Sequence, residues 1–117
     1  MQMKTADLTG PALNWAVAKS NQAAGLVQSD PIVEYMSYFT PATNWSQGGP
    51  IIEREGIDTI HERNIDGDVV QIWAVLDSEQ VPEYFGPTPL IAAMRCYVAS
   101  RLGDEVEVPN ELIGETK

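Results

Sequence analysis

The residues best suited to holding a ligand fall in two short segments, Asn44-Trp45-Ser46-Gln47-Gly48-Gly49 and Gly86-Pro87-Thr88-Pro89. Each leads into a helical pattern, and a helix N-terminus offers an anion unpaired backbone N–H groups and the positive end of the helix dipole. In the first segment Trp45 is suited to stack on a planar ring, with Asn44 or Gln47 reading a base edge. In the second, the Thr88 hydroxyl adds a polar group, and Arg95, further along, completes a phosphate pocket. The ligand-binding set expected on this reading is Asn44, Trp45, Gln47, Gly48, Gly49, Thr88 and Arg95, and the ligand is small, anionic and nucleotide-like. The plainer alternative is that Trp45 fills an apolar notch, Thr88 caps its helix and Arg95 pairs with a nearby acid.

Catalytic and metal chemistry find fewer parts. One histidine, one cysteine and scattered carboxylates do not supply the clustered ligands of a zinc or iron centre, and no calcium-loop spacing occurs, so neither metal nor other cofactor is expected. Walker spacing and a Gly-x-Gly-x-x-Gly run are both missing. His61 lies in a strand pattern with no nucleophile to serve, and Asp66-Gly67-Asp68 reads first as a turn. Glu53 and Glu55 are the one candidate acid and base pair, which a small hydrolase acting on a nucleotide would use. Neighbouring acids on a short helix more commonly form a solvated face, so no enzyme is expected.

Seventeen acidic against seven basic side chains give a formal charge of −10. That balance repels a phosphate backbone and offers no basic stripe, which argues against direct nucleic-acid binding. An acidic surface can instead engage a basic protein or imitate DNA to a protein that binds it, or simply keep the chain dissolved. Cys96 is alone and cannot close an internal disulfide, which fits a reducing compartment, and its helical setting points to packing rather than nucleophilic attack. No apolar run reaches the roughly 18 residues that would mark a membrane span.

The elements that must position these groups follow from caps, periodicity and turns. A helix is expected from Thr9 to about Ala24, burying Leu13, Ala16 and Val17 beside Leu8, with Asn14, Lys19 and Gln22 toward water and Trp15 at the margin. Asp30-Pro31 breaks regular structure, the segment from Ile32 to Phe39 reads equally as strand or short helix, and Thr40 to Gly49 reads as a loop. Pro50 to Glu55 reads as a short helix closed by Gly56. Ile57 to Arg63 and Val69 to Leu76 read as strands joined by a turn at Asn64 to Asp68, with Trp73 in the core. The strongest helix runs from Pro89 to Leu102, with Thr88 as cap and a stripe of Leu90, Ile91, Met94, Tyr97, Val98, Arg101 and Leu102 facing the hairpin. Glu105, Glu107, Glu111 and Glu115 mark an acidic tail expected to fray from about residue 104. The fold class expected is α+β: one domain over residues 1–117, a central antiparallel hairpin or small sheet against two main helices, folding alone or as a small homo-oligomer.

Four separated blocks then carry a resemblance. Thr5-Ala6-Asp7-Leu8-Thr9-Gly10-Pro11-Ala12-Leu13-Asn14-Trp15-Ala16-Val17-Ala18, Asn44-Trp45-Ser46-Gln47-Gly48-Gly49-Pro50-Ile51-Ile52-Glu53, Trp73-Ala74 and Gly86-Pro87-Thr88-Pro89-Leu90-Ile91-Ala92-Ala93-Met94-Arg95 resemble, in order, the NinX-like family of small phage and prophage proteins. The resemblance implies a non-structural protein made in the cytoplasm of an infected bacterium. The family looks like a domain of unknown function, so it transfers no catalytic residue and no ligand. By analogy with small early phage proteins that counter host defence, it implies stoichiometric sequestration of a nucleotide-derived signal. The alternative in that setting is an acidic protein acting on a basic host or phage partner.

Overall fold

The computed structural model describes residues 1–28, 31, 38–76 and 84–113. Strand β1 (Gln2–Lys4) runs through a single 3₁₀ turn (Thr5–Asp7) into helix α1 (Gly10–Ala23). Helix α2 (Trp45–Glu55) is followed by strands β2 (Ile57–Arg63), β3 (Val69–Leu76) and β4 (Tyr84–Phe85), helix α3 (Pro89–Leu102), strand β5 (Glu105–Glu107) and helix α4 (Asn110–Ile113). The α+β class expected from the sequence is therefore what is found. The reading of residues 32–37 as strand or short helix lies outside the described residues.

Helix α3 is the centre of the molecule. Thr88 caps it by accepting the Ile91 amide at 3.1 Å, Pro89 occupies the first turn, and the Gly103 amide closes it onto Ala99 O at 3.0 Å. The expected stripe understates its burial. Ala92, Ala93 and Cys96 are fully buried alongside Met94, Tyr97 and Val98, whereas Arg101 is exposed. A helix covered on several sides loses its amphipathic signature, because the sheet takes one face while α1 and α2 take others. Small alanines let those neighbours approach closely.

The sheet has the order β2-β3-β4, all antiparallel, and its first two strands match their sequence boundaries. Asn64 organises the turn by accepting the amides of Asp66 and Asp68, each at 3.0 Å. Ala74 and Leu76 are buried on the face toward α3, and the alternate residue Trp73 lies on the outer face. Trp73 is thus not the core residue expected from the sequence. It is half-buried, its ring centroid 3.9 Å from that of Phe85, and its indole N–H donates to Glu62 Oε1 at 2.9 Å.

Three further expectations need correction. Asn14 does not face water: it is 5% exposed, and its Oδ1 accepts the Ala42 amide at 3.0 Å, tying the segment before α2 to α1. Residues 45–49 are helical rather than loop, because Asn44 accepts the Ser46 amide at 3.0 Å and the Asn44 carbonyl accepts the amides of Gln47 and Gly48. Pro50 consequently lies inside the helix, not in its first turn. The acidic segment expected to fray contains β5, which pairs with β1 in the register Gln2↔Glu107, Met3↔Val106 and Lys4↔Glu105. Val106, Val108 and Leu112 are buried, and the Glu-Val-Glu-Val alternation gives this stretch one buried face; the part of the expected tail from residue 114 on, with Glu115, lies outside the described residues.

Candidate functional site

Arg95 projects from the middle of α3 to where β4 ends. Its Nε donates to the carbonyl of Leu8 at 2.8 Å and its Nη1 to the carbonyl of Phe85 at 2.9 Å. These bonds fix the plane of the guanidinium. Burial lowers its pKa and the nearby Asp7 carboxylate raises it, but a guanidinium stays protonated at neutral pH under such shifts. The expected alternative, an ion pair with a local acid, is not what is found among the described residues: the two partners are backbone carbonyls, and Asp7 acts only through its field.

Arg95 lines a surface hollow of about 380 Å³ together with Val69, Val70, Gln71, Ile72, Phe85, Gly86 and Pro87. Its geometry comes from two local features. The β2–β3 register runs Glu62↔Gln71 then Arg63↔Val69, so Val70 has no partner and β3 bulges there. Opposite, Gly86 bonds Ile72 O at 3.1 Å and sits so close to α3 that a Cβ would lie 2.5 Å from Ala92 N. Only glycine lets the chain pass there. Val69, Val70 and Gln71 were not in the expected set, since nothing local in an apolar strand pattern marks a bulge.

The other expected residues do not line this hollow. Asn44 caps α2, its Oδ1 accepting from both the amide and the hydroxyl of Ser46. Gln47 is spent on the preceding segment, accepting from the Thr40 amide and donating to Tyr38 O at 3.0 Å. Gly48 is a packing residue, where a Cβ would lie 2.4 Å from Pro41 O and 2.5 Å from Leu90 Cδ1. Trp45, 56% exposed, does not fill a notch; its ring edge lies near Gly49. Thr88 is the cap of α3, two residues beyond Gly86.

Glu55 and Cys96 are held in structural roles. Burial would raise the Glu55 carboxyl pKa, but hydrogen bonds and charge from Arg54 and Arg101 outweigh it and hold the group below its ordinary value. Such a carboxylate is a poor proton donor at neutral pH. Cys96 is fully buried and its thiol is pushed up to about 11 by that burial, partly offset by a backbone hydrogen bond at Leu76. Among the described residues no group of three or more His, Cys, Asp or Glu could hold a metal ion. A second hollow, of about 480 Å³, includes Met1, Trp15, Lys19 and Glu107 in its lining, and there the N-terminal amine pairs with Glu107. Among the described residues no helix is long and apolar enough to cross a membrane.

No curated protein matches the chain. A family model does: residues 4–101 match the one described as Bacteriophage P22, NinX. That span starts in β1, ends within α3 and takes in the whole of the hollow around Arg95. The chain therefore belongs to the bacteriophage P22 NinX family.

Proposed function

We propose that this phage protein binds a small anionic, nucleotide-like molecule in the hollow around Arg95 and acts by holding it, without turnover. The observation that carries this reading is the state of Arg95: a half-buried cation, fixed in plane by two carbonyls, with no carboxylate paired to it among the described residues. A fixed, partly desolvated guanidinium binds phosphate or carboxylate more strongly than a mobile surface one. The apolar wall of Val70, Ile72, Phe85 and Pro87 supports a planar group beside the anion, and about 380 Å³ falls within the range of roughly 300–1,000 Å³ usual for small-molecule sites.

The lining also bears on turnover. None of its side chains is a carboxylate, imidazole, thiol or hydroxyl that could move a proton, which favours sequestration over hydrolysis. In an infected bacterium, stoichiometric capture of a nucleotide-derived defence signal in the host cytoplasm is the use that fits such a site. The proposal keeps Arg95 from the sequence-derived set and gives the apolar contact to the Phe85 and Pro87 wall rather than to Trp45.

Native mass spectrometry of protein purified from infected cells with active defence systems, against protein from uninfected cells, tests this. A small mass released on denaturation and absent from Val70→Glu is the expected result, because residue 70 is 55% exposed and a carboxylate there repels an anion without disturbing the core. Binding unchanged in Val70→Glu and Arg95→Lys, or a co-purifying macromolecule in place of a small mass, overturns it.

A further inference from the structure

Strand β2 forms one edge of the three-stranded sheet, and from Asp58 to Arg63 its residues are exposed or half-exposed. The direction of its free backbone groups follows from a bond two strands away. Gly86 N donates to Ile72 O, so the backbone groups of Ile72 face β4. Successive residues of a strand turn these groups to alternate sides, so those of Gln71, Trp73 and Val75 face β2. Their partners Glu62, Ile60 and Asp58 face back toward β3. Thr59 and His61 therefore direct their N–H and C=O groups away from the sheet, where no described backbone group pairs with them.

Such an edge is normally blunted by lysine or proline, and neither interrupts Ile57-Asp58-Thr59-Ile60-His61-Glu62-Arg63. Its outer face carries an acid, an apolar residue and an acid in alternation: Asp58, Ile60 (49% exposed) and Glu62. Trp73 and Phe85 continue the apolar row from Ile60 across the sheet. The Trp73 indole holds Glu62 Oε1 on that face and leaves Oε2 without a described partner.

We propose that this edge accepts, as an added strand, an extended segment of another protein whose alternate residues run basic, apolar, basic. Main-chain bonds to Thr59 and His61 would supply the pairing, and the two carboxylates would select the side chains on either side of a residue packed on Ile60. A second copy of this chain fits poorly. Antiparallel self-pairing centred on Ile60 sets Asp58 against Glu62 twice, and pairing centred on His61 sets Ile60 against Glu62; both bring together chains of charge −10. This edge is independent of the Arg95 hollow.

The test uses the intact protein and an acetylated, amidated heptapeptide, Thr-Lys-Thr-Val-Thr-Lys-Thr, followed by residue-resolved amide exchange. Saturating peptide is expected to slow exchange at Thr59 and His61 by about tenfold or more, with little change at Ile60, which already bonds to β3. The same peptide with glutamate for lysine is expected not to bind, and Asp58→Lys with Glu62→Lys to reverse the preference. Thr59→Pro, which removes an outward N–H and leaves the β2–β3 bonds intact, is expected to abolish binding while the circular dichroism spectrum is kept. Equal binding of both peptides, protection elsewhere, or dimerisation of the protein alone through the Thr59 and His61 amides overturns the proposal.

Discussion

The Tyr97 hydroxyl donates to Asn21 Oδ1 at 2.7 Å, so a side chain from the most buried stretch of α3 ends in a polar bond to α1. The same oxygen accepts from Arg54 Nη2 at 3.0 Å, which brings α2 to the junction. Arg54 and Arg101 lie 5.5 and 6.0 Å from the centre of the Tyr97 ring, and Glu55 bridges the two guanidinium groups. One phenol thus ties three helices together where the apolar core gives out.

Tyr97→Phe keeps the ring and removes the junction. Both hydrogen bonds are part-buried, so the expected loss is about 1–2 kcal/mol, the ordinary cost of breaking such bonds. Urea unfolding should show a lower midpoint with an unchanged slope. An unchanged midpoint would mean that water replaces the hydroxyl at no cost.

Glu55 gives the fold a pH dependence whose sign is set by its lowered pKa. A carboxylate that titrates below its ordinary value of 4.5 in the folded protein stabilises the fold above that pH, and the contribution is lost as pH falls through the folded value. Glu55→Gln is therefore expected to be less stable than the parent at pH 7, with the difference shrinking below about pH 4.5. Its side chain is 11% exposed but both arginines are 38% exposed, so solvent screening limits the effect to about 1 kcal/mol. Thermal unfolding of both proteins from pH 3 to 7 measures it.

What was legible in the sequence was local. The cap at Thr88 and the turn at Asn64 are made by residues within four positions of their partners, and the elements they bound, α3, β2 and β3, fall where sequence placed them. What was not legible depends on distant partners. Asn14 looked like a solvent-facing residue because the amide it accepts is 28 positions away, and the carbonyl that holds Arg95, a residue read as a phosphate ligand or else the partner of a nearby acid, belongs to Leu8, 87 positions away. Glycines 48 and 49 read as loop because helix propensity alone disfavours them, whereas the fold uses Gly48 for contact between α2 and α3. Of the candidate site only Arg95 was in the expected set, because it stands out as a cation in an apolar helix, whereas the bulge at Val70 exists only in the pairing of two strands.

Cys96 is expected to be silent chemically. With no exposed surface and a thiol pushed up to about 11, it offers almost no thiolate at pH 8. Iodoacetamide should leave the folded protein unlabelled and modify it fully in denaturant, as intact mass would show. Labelling of the native protein at the rate of a free thiol would require α3 to open away from the sheet.

Gly48 and Gly49 separate packing from propensity in adjacent positions of one helix. A methyl group at 48 meets Pro41 O at 2.4 Å and Leu90 Cδ1 at 2.5 Å; one at 49 meets nothing nearer than Trp45 Cε3 at 3.8 Å. Leu90 can turn aside, but Pro41 O belongs to the backbone of a segment already pinned to Asn14 through the neighbouring Ala42 amide. Gly48→Ala is therefore expected to cost about 1–3 kcal/mol by overpacking, while Gly49→Ala gains about 0.5–1 kcal/mol from helix propensity. Denaturant midpoints of the two variants should move in opposite directions. Adding Leu90→Ala to Gly48→Ala should not restore stability, because the carbonyl contact persists and a cavity is added; recovery there would show that the side chain, not the backbone, sets the approach of α2 to α3.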